Sequence, residues 1–229
     1  VRFQTKYAFR LLLAGAVLCT ILLFIRAALQ RPAASRTSGT PAMITAAVQQ
    51  QHLRLRDSCI RLLRTGDLLL RTGNDITSRM FCEFNRTDKT YSHGGLVIVE
   101  DGYPFVYHSI GGEDNPDERL RRDSAQFFLS PAHNLGLAVV RYRLPDSTIA
   151  GLTRVIRAYY SKRPLFDMDF DLETDDRLYC SEFVYKSLAA ATGDTAFIPA
   201  TSVFGHRFIG IDNLFINPHA VFVCELKYK

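Results

Sequence analysis

The stretch that most limits what this chain can fold into is HGGLVIVEDGYPFVYHS, residues 93–109. Two runs of β-branched and aromatic residues flank Asp101-Gly102, a pair favoured in two-residue hairpin loops because both loop positions take positive φ. With those two residues as the loop, Glu100 lies opposite Tyr103, and counting back sets Gly95 opposite His108. Side chains alternate along a strand, so His93, Gly95, Val97 and Val99 share one face, and His108 joins them. His93 is then diagonal to His108, at a backbone separation of about 7–8 Å, and two imidazoles can meet across it. A slip of one residue would send them to opposite faces.

The hairpin sits within a regular succession of elements. Residues 43–64 read as a helix, with Leu53, Ile60 and Leu63 apolar among Gln and Arg. Thr65-Gly66-Asp67 ends it, and Leu68-Leu69-Leu70 is short enough for a buried strand. Asn74 or Asp75 caps a further short helix through Met80 and Phe84. Beyond the hairpin, Leu135 to Tyr142 reads as a strand, and Pro145-Asp146-Ser147 opens a helix with a stripe of Ile149, Leu152, Val155, Ile156 and Tyr159. The helix after Tyr179 ends at Gly193, and Ala220 to Leu226 makes a last strand. This order suits an α+β domain with a mostly antiparallel sheet packed by helices.

Ahead of that domain lies LLLAGAVLCTILLFI, residues 11–25, fifteen residues without a charge between Arg10 and Arg26. A spanning helix usually needs roughly 17–25 residues, so the run spans if the two arginines snorkel to the interfaces. The reading is one N-terminal transmembrane helix within residues 1–29, a linker at 30–42 (with RPAASRTSGTPA) and the α+β domain at 43–229. A cleaved secretory signal is the rival, although no small-x-small site follows the run cleanly. Basic residues on both flanks leave the orientation open.

The net charge of +5 comes largely from those flanks and from scattered arginines. Without a basic stripe interleaved with aromatics, nucleic acid is not an expected partner. The cysteines, Cys19, Cys59, Cys82, Cys180 and Cys224, show no CxxC spacing, which argues against zinc. A Cys59–Cys82 disulfide would require a compartment outside the cytoplasm. Asp167, Asp169 and Asp171 imitate a calcium loop, yet its sixth position is Leu172 instead of Gly and its twelfth is Leu178 instead of Glu. No metal and no cofactor are expected.

The chemistry centres on RLYCSEFVYK, residues 177–186. Cys180 stands on the first turn of the predicted helix, where unsatisfied amides and the helix dipole favour a thiolate. A buried structural cysteine is the plainer alternative. A thiol hydrolase needs a base and a group to orient that base, and the hairpin offers His93 and His108 for the two roles. Gly94 and Gly95 leave room for close approach beside the histidines. The Cys180 amide is a candidate oxyanion donor. Tyr179 and Asp67 are further pocket candidates, each with a structural alternative in the core or in the turn before the first strand.

GDLLLRTG, SHGGLVIVEDGYPFVYHS and FDMDFDLETDDRLYCSEFVYKSL, in that order, resemble the circularly permuted papain-like amidases, the YiiX/YebB-like branch of the NlpC superfamily. The resemblance covers about residues 64–226. It implies a permuted papain-like fold in which the base precedes the nucleophile, with His93 as base and Cys180 as nucleophile. The third position, often Glu in that family, is His108 here. A histidine there is also the arrangement of the lecithin–retinol acyltransferase-like proteins, although their Asn-Cys-Glu-His signature is absent. The resemblance therefore implies an amide-cleaving thiol hydrolase acting on a peptide, cell-wall or related substrate; with the apolar run as a single-pass anchor and a largely bacterial family, the expected place is a bacterial inner membrane. The alternatives are a lipid-ester hydrolase or acyltransferase and a catalytically silent ligand-binding module.

Overall fold

The computed structural model describes residues 46–112 and 115–228. The expected transmembrane helix and linker lie outside them. Among the described residues no helix is long and apolar enough to cross a membrane.

The apolar runs become the strands of one six-stranded sheet. Its strands are β1 (Leu68–Gly73), β2 (His93–Glu100), β3 (Tyr103–His108), β4 (Arg121–Ser124), β5 (Asn134–Tyr142) and β8 (Ala220–Lys227), ordered β4-β3-β2-β1-β5-β8. Every pairing in it is antiparallel. The hairpin register is the expected one: Glu100 faces Tyr103 and Leu96 faces Tyr107, with positive φ at Asp101 and Gly102 in the loop. Two further strands, β6 (Thr201–Val203) and β7 (His206–Phe208), form a separate small hairpin.

Both faces of the central strands are covered, which is why β1 and β2 read as continuous apolar runs. Leu68, Leu70, Leu96, Ile98 and Val140 pack under α4 (Asp146–Lys162) and α5 (Cys180–Thr192), through Leu152, Ile156, Phe183, Val184 and Leu188. Leu69, Val97, Val106, Leu137 and Val139 pack on the other face under α1 (Ala46–Ile60) and α3 (Ala125–Phe128), through Ile60, Ala125 and Phe128. The remaining helices are α2 (Ile76–Phe84), capped by the Asp75 carboxylate accepting from the Ser78 amide, and α6 (Ile211–Phe215). Gly193 closes α5 with φ 72°, a left-handed position that suits glycine. The mixed α+β architecture is thus present, and β4, α3, α6 and the β6–β7 hairpin are additions to the elements read from sequence.

One pairing differs from expectation. Cys59 bonds to Cys224, not to Cys82, and thereby joins the end of α1 to β8 across 165 residues of sequence. Cys82 lies buried on α2 with a free thiol. Cysteine spacing is blind to such a contact, because only the sheet order brings the last strand under the first helix. A closure of this length stabilises a fold by about 2–4 kcal/mol. Oxidised protein carrying Cys59→Ser is therefore expected to melt several degrees below the parent, and Cys82→Ser to leave the disulfide intact by non-reducing mass analysis. An unchanged melting temperature on loss of Cys59 would contradict the staple.

Candidate active site

β2 begins at His93, and its pairing with β3 runs from Leu96 to Glu100. The start of β2 therefore extends past the paired segment, and α5 delivers Cys180 into this region. Three contacts fix that delivery. The Ser109 hydroxyl, one residue after His108, donates to the Leu178 carbonyl. The Ser181 hydroxyl donates to the Ile209 carbonyl at 2.7 Å. The Tyr179 amide donates to the Glu182 carboxylate at 3.1 Å, closing the first turn of the helix. Cys180 is partly exposed at this position.

The histidines meet as the hairpin register requires. His93 Nε2 lies 2.9 Å from His108 Nδ1, and their rings cross edge to face. The sequence did not reveal what stands behind them: His108 Nε2 lies 3.0 Å from Asp123 Oδ2. The other Asp123 oxygen accepts from Arg121 at 2.9 Å. Asp123 belongs to β4, whose RRDS sequence has no apolar alternation to mark it as a strand, yet it pairs with Val106 across β3–β4. The one available signal was that a strand added beside β3 would set a carboxylate next to His108.

Asp123 fixes the protons of the whole chain. Its carboxylate can only accept, so His108 carries its proton on Nε2 and presents a bare Nδ1. His93 must then donate from Nε2, which leaves His93 Nδ1 as a lone pair. Among the described residues the His93 ring bonds to His108 and not to the sulfur.

Electrostatics set the resting protonation. Burial, then Arg71, then His108 hold His93 well below the usual imidazole range. Arg71 pairs directly with His93 across β1–β2, with its guanidinium over the Phe128 ring at 5.0 Å. Burial also lowers His108, against the opposing pull of Asp123. Cys180 runs against the helix-dipole expectation. Burial pushes its thiol up to about 11, although the amides of Ser181 and Gly94 donate toward the sulfur and pull the other way. Desolvation of the anion outweighs the helix dipole and the amides here, so the resting groups are a thiol and a neutral imidazole.

The glycines of the motif have defined spaces. A Cβ on Gly95 would stand 2.8 Å from His108 Cβ and 2.7 Å from the Tyr107 carbonyl. A Cβ on Gly94 would strike Leu70 at 2.9 Å, on the face toward α5. The other two pocket candidates are engaged in structural contacts. Tyr179 is buried, and its hydroxyl accepts from the Ile209 amide at 2.9 Å, so the ring braces the core. Asp67, four residues down the sheet from the histidines, holds Arg141 through contacts of 2.7 and 2.8 Å and the Arg64 amide at 2.8 Å. It is a structural carboxylate, placed by the turn before β1. Asp167 spends its oxygens on the amides of Asp169 and Asp171, at 2.9 and 2.7 Å, which shapes its own loop.

No protein-family model matches this chain, and no curated protein matches it. Among solved structures, the fold is similar to that of the metalloprotein yiiX from Escherichia coli O157:H7. The TM-score is 0.59 at 19% sequence identity, over 72% of this chain and 98% of that one. A metal does not fit the residues assembled here. The facing nitrogens of His93 and His108 are spent on each other and the Asp123 carboxylate on His108 and Arg121. Among the described residues no group of three or more His, Cys, Asp or Glu is arranged to hold an ion. The chain shares a YiiX-like α+β fold.

Proposed function

We propose that the protein is a thiol hydrolase that cleaves an amide bond through an acyl-enzyme on Cys180. The observation that carries this reading is the buried chain Asp123–His108–His93, which leaves His93 Nδ1 as a lone pair on the residue next to Gly94, whose amide donates toward the Cys180 sulfur.

In the proposed reaction His93 Nδ1 takes the thiol proton as sulfur attacks the carbonyl carbon. The proton moves during attack because both partners are neutral at rest. The carbonyl oxygen becomes an oxyanion facing the amides of Cys180 and Gly94. The imidazolium on His93 is stabilised through His108 by the Asp123 charge, so the histidine in the third position is backed by a carboxylate after all. His93 then returns the proton to the leaving amine as the C–N bond breaks. A water loses its proton to His93 and attacks the thioester, and His93 gives that proton to the departing sulfur.

The apolar run at residues 11–25 would anchor this domain to a membrane. The Cys59–Cys224 bond favours the oxidising side of it, which for a bacterial inner membrane is the outer side. A lipid ester is an alternative substrate for the same chemistry. A second reading, a silent binding module, draws on one observation: a thiol held up to about 11 is unreactive by itself.

Two outcomes separate these readings. Cys180→Ala is expected to abolish turnover of a peptide-amide or acyl-ester substrate and the acyl adduct seen by mass spectrometry. Asp123→Asn should lower kcat by about 10²–10⁴-fold with little change in KM. Retained turnover in Cys180→Ala would refute the mechanism. Alkylation of Cys180 should be slow at pH 7, where roughly one thiol in 10⁴ is ionised, and should rise toward about pH 11. An alkylation midpoint below the free-thiol value of about 8.5 would show that burial does not control this sulfur.

A further inference from the structure

The rim on the α2 side of Cys180 is unusually apolar for a surface. On α2, Ile76, Met80 and Phe84 recur every four residues and form one stripe, exposed at 77%, 60% and 54%. Met168, in the loop before α5, is 64% exposed. Phe204 is 97% exposed at the tip of the β6–β7 hairpin, where it and Gly205 take positive φ in a two-residue loop.

Hydrogen bonds and ring contacts join these three segments to the start of α5. Phe84 stacks on Phe170 at 5.7 Å, and Phe170 lies 5.2 Å from Tyr179, the residue before Cys180. The hairpin runs directly into Ile209, whose amide and carbonyl are bonded to Tyr179 and Ser181. Asn85, just past α2, is buried and donates to the Tyr91 carbonyl while accepting from the Ile211 amide. That bonding rivets the end of α2 to the base of the same hairpin.

We infer that this rim is a membrane-docking surface: Phe204, Met80, Ile76 and Phe84 insert into the interfacial layer of a bilayer and hold the Cys180 side of the domain against it. Clustered apolar side chains on separate rigid elements, at a protruding hairpin tip and along one helix face, match the shallow apolar layer of a lipid interface. The charges around the rim are mixed. Arg79, Arg86 and Arg207 are exposed, and Asp169 is exposed among them. Insertion, not net charge, therefore drives docking, and a neutral lipid surface suffices. The sequence supplies the bilayer as neighbour, since the uncharged run at residues 11–25 precedes the domain. The inference stands independently of whether Cys180 is a nucleophile.

The chain contains no tryptophan, so a single introduced Trp reports its own surroundings. Full-length protein carrying Phe204→Trp or Met80→Trp is reconstituted into phosphatidylcholine vesicles, with and without bromine on the acyl chains. Tyr103→Trp serves as control, because Tyr103 is exposed at the opposite end of the hairpin from His93. The expected result is blue-shifted emission at positions 204 and 80, lost to bromine quenching, with red, unquenched emission at 103. Red and unquenched emission at all three positions would overturn the docking surface. Blue-shifted but unquenched emission at 204 and 80 would overturn the bilayer in favour of a covering protein. Neither readout depends on hydrolysis.

Discussion

The pairing of β2 with β3 is the constraint on which the rest depends. Asp101-Gly102 sets one register, and that register alone brings His93 and His108 to the same face with their facing nitrogens 2.9 Å apart. The face they occupy is covered by Phe128, whose ring lies 5.6 Å from His93 and 5.0 Å from His108. Both imidazoles are therefore removed from water, and Asp123 and Arg71 act on them at low effective dielectric. Gly95 keeps the pair possible, because any side chain there would occupy the space of the His108 Cβ.

Two opposing fields meet at the sulfur. The helix terminus and the Gly94 amide favour the thiolate, while burial disfavours it, and burial wins. In the proposed mechanism the resting groups are therefore a neutral thiol and a tautomerically fixed neutral imidazole, not a preformed ion pair. Under that mechanism Asp123, two hydrogen bonds removed from His93, decides whether His93 Nδ1 carries a lone pair or a proton. Its work is on orientation and charge, not on the substrate itself.

What the sequence made legible follows the range of the signals. The hairpin, its register, the cap at Gly193 and the helix starting at Cys180 are all local and stand in the structure as read, and of Asn74 and Asp75 it is Asp75 that caps α2. Asp123 escaped because β4 is four polar or charged residues that become a strand only by adding to an existing edge. Cys224 was not matched to Cys59 because their contact depends on the order of the whole sheet. Asp67 and Tyr179 stand beside motif residues in sequence, but their polar groups are engaged by Arg141 and by the Ile209 amide, contacts that depend on the packed fold. The thiol pKa was misjudged for a related reason: the dipole is a property of the helix, whereas burial is a property of everything packed around it.

The account turns on the tautomers of two histidines, and nitrogen-resolved NMR of histidine-labelled protein at pH 7 reads them directly. It predicts that His93 and His108 are both neutral and both protonated on Nε2, with the His108 state lost in Asp123→Asn. A proton on His93 Nδ1, or an imidazolium at either ring, would leave no lone pair fixed for the Cys180 thiol and would contradict the account.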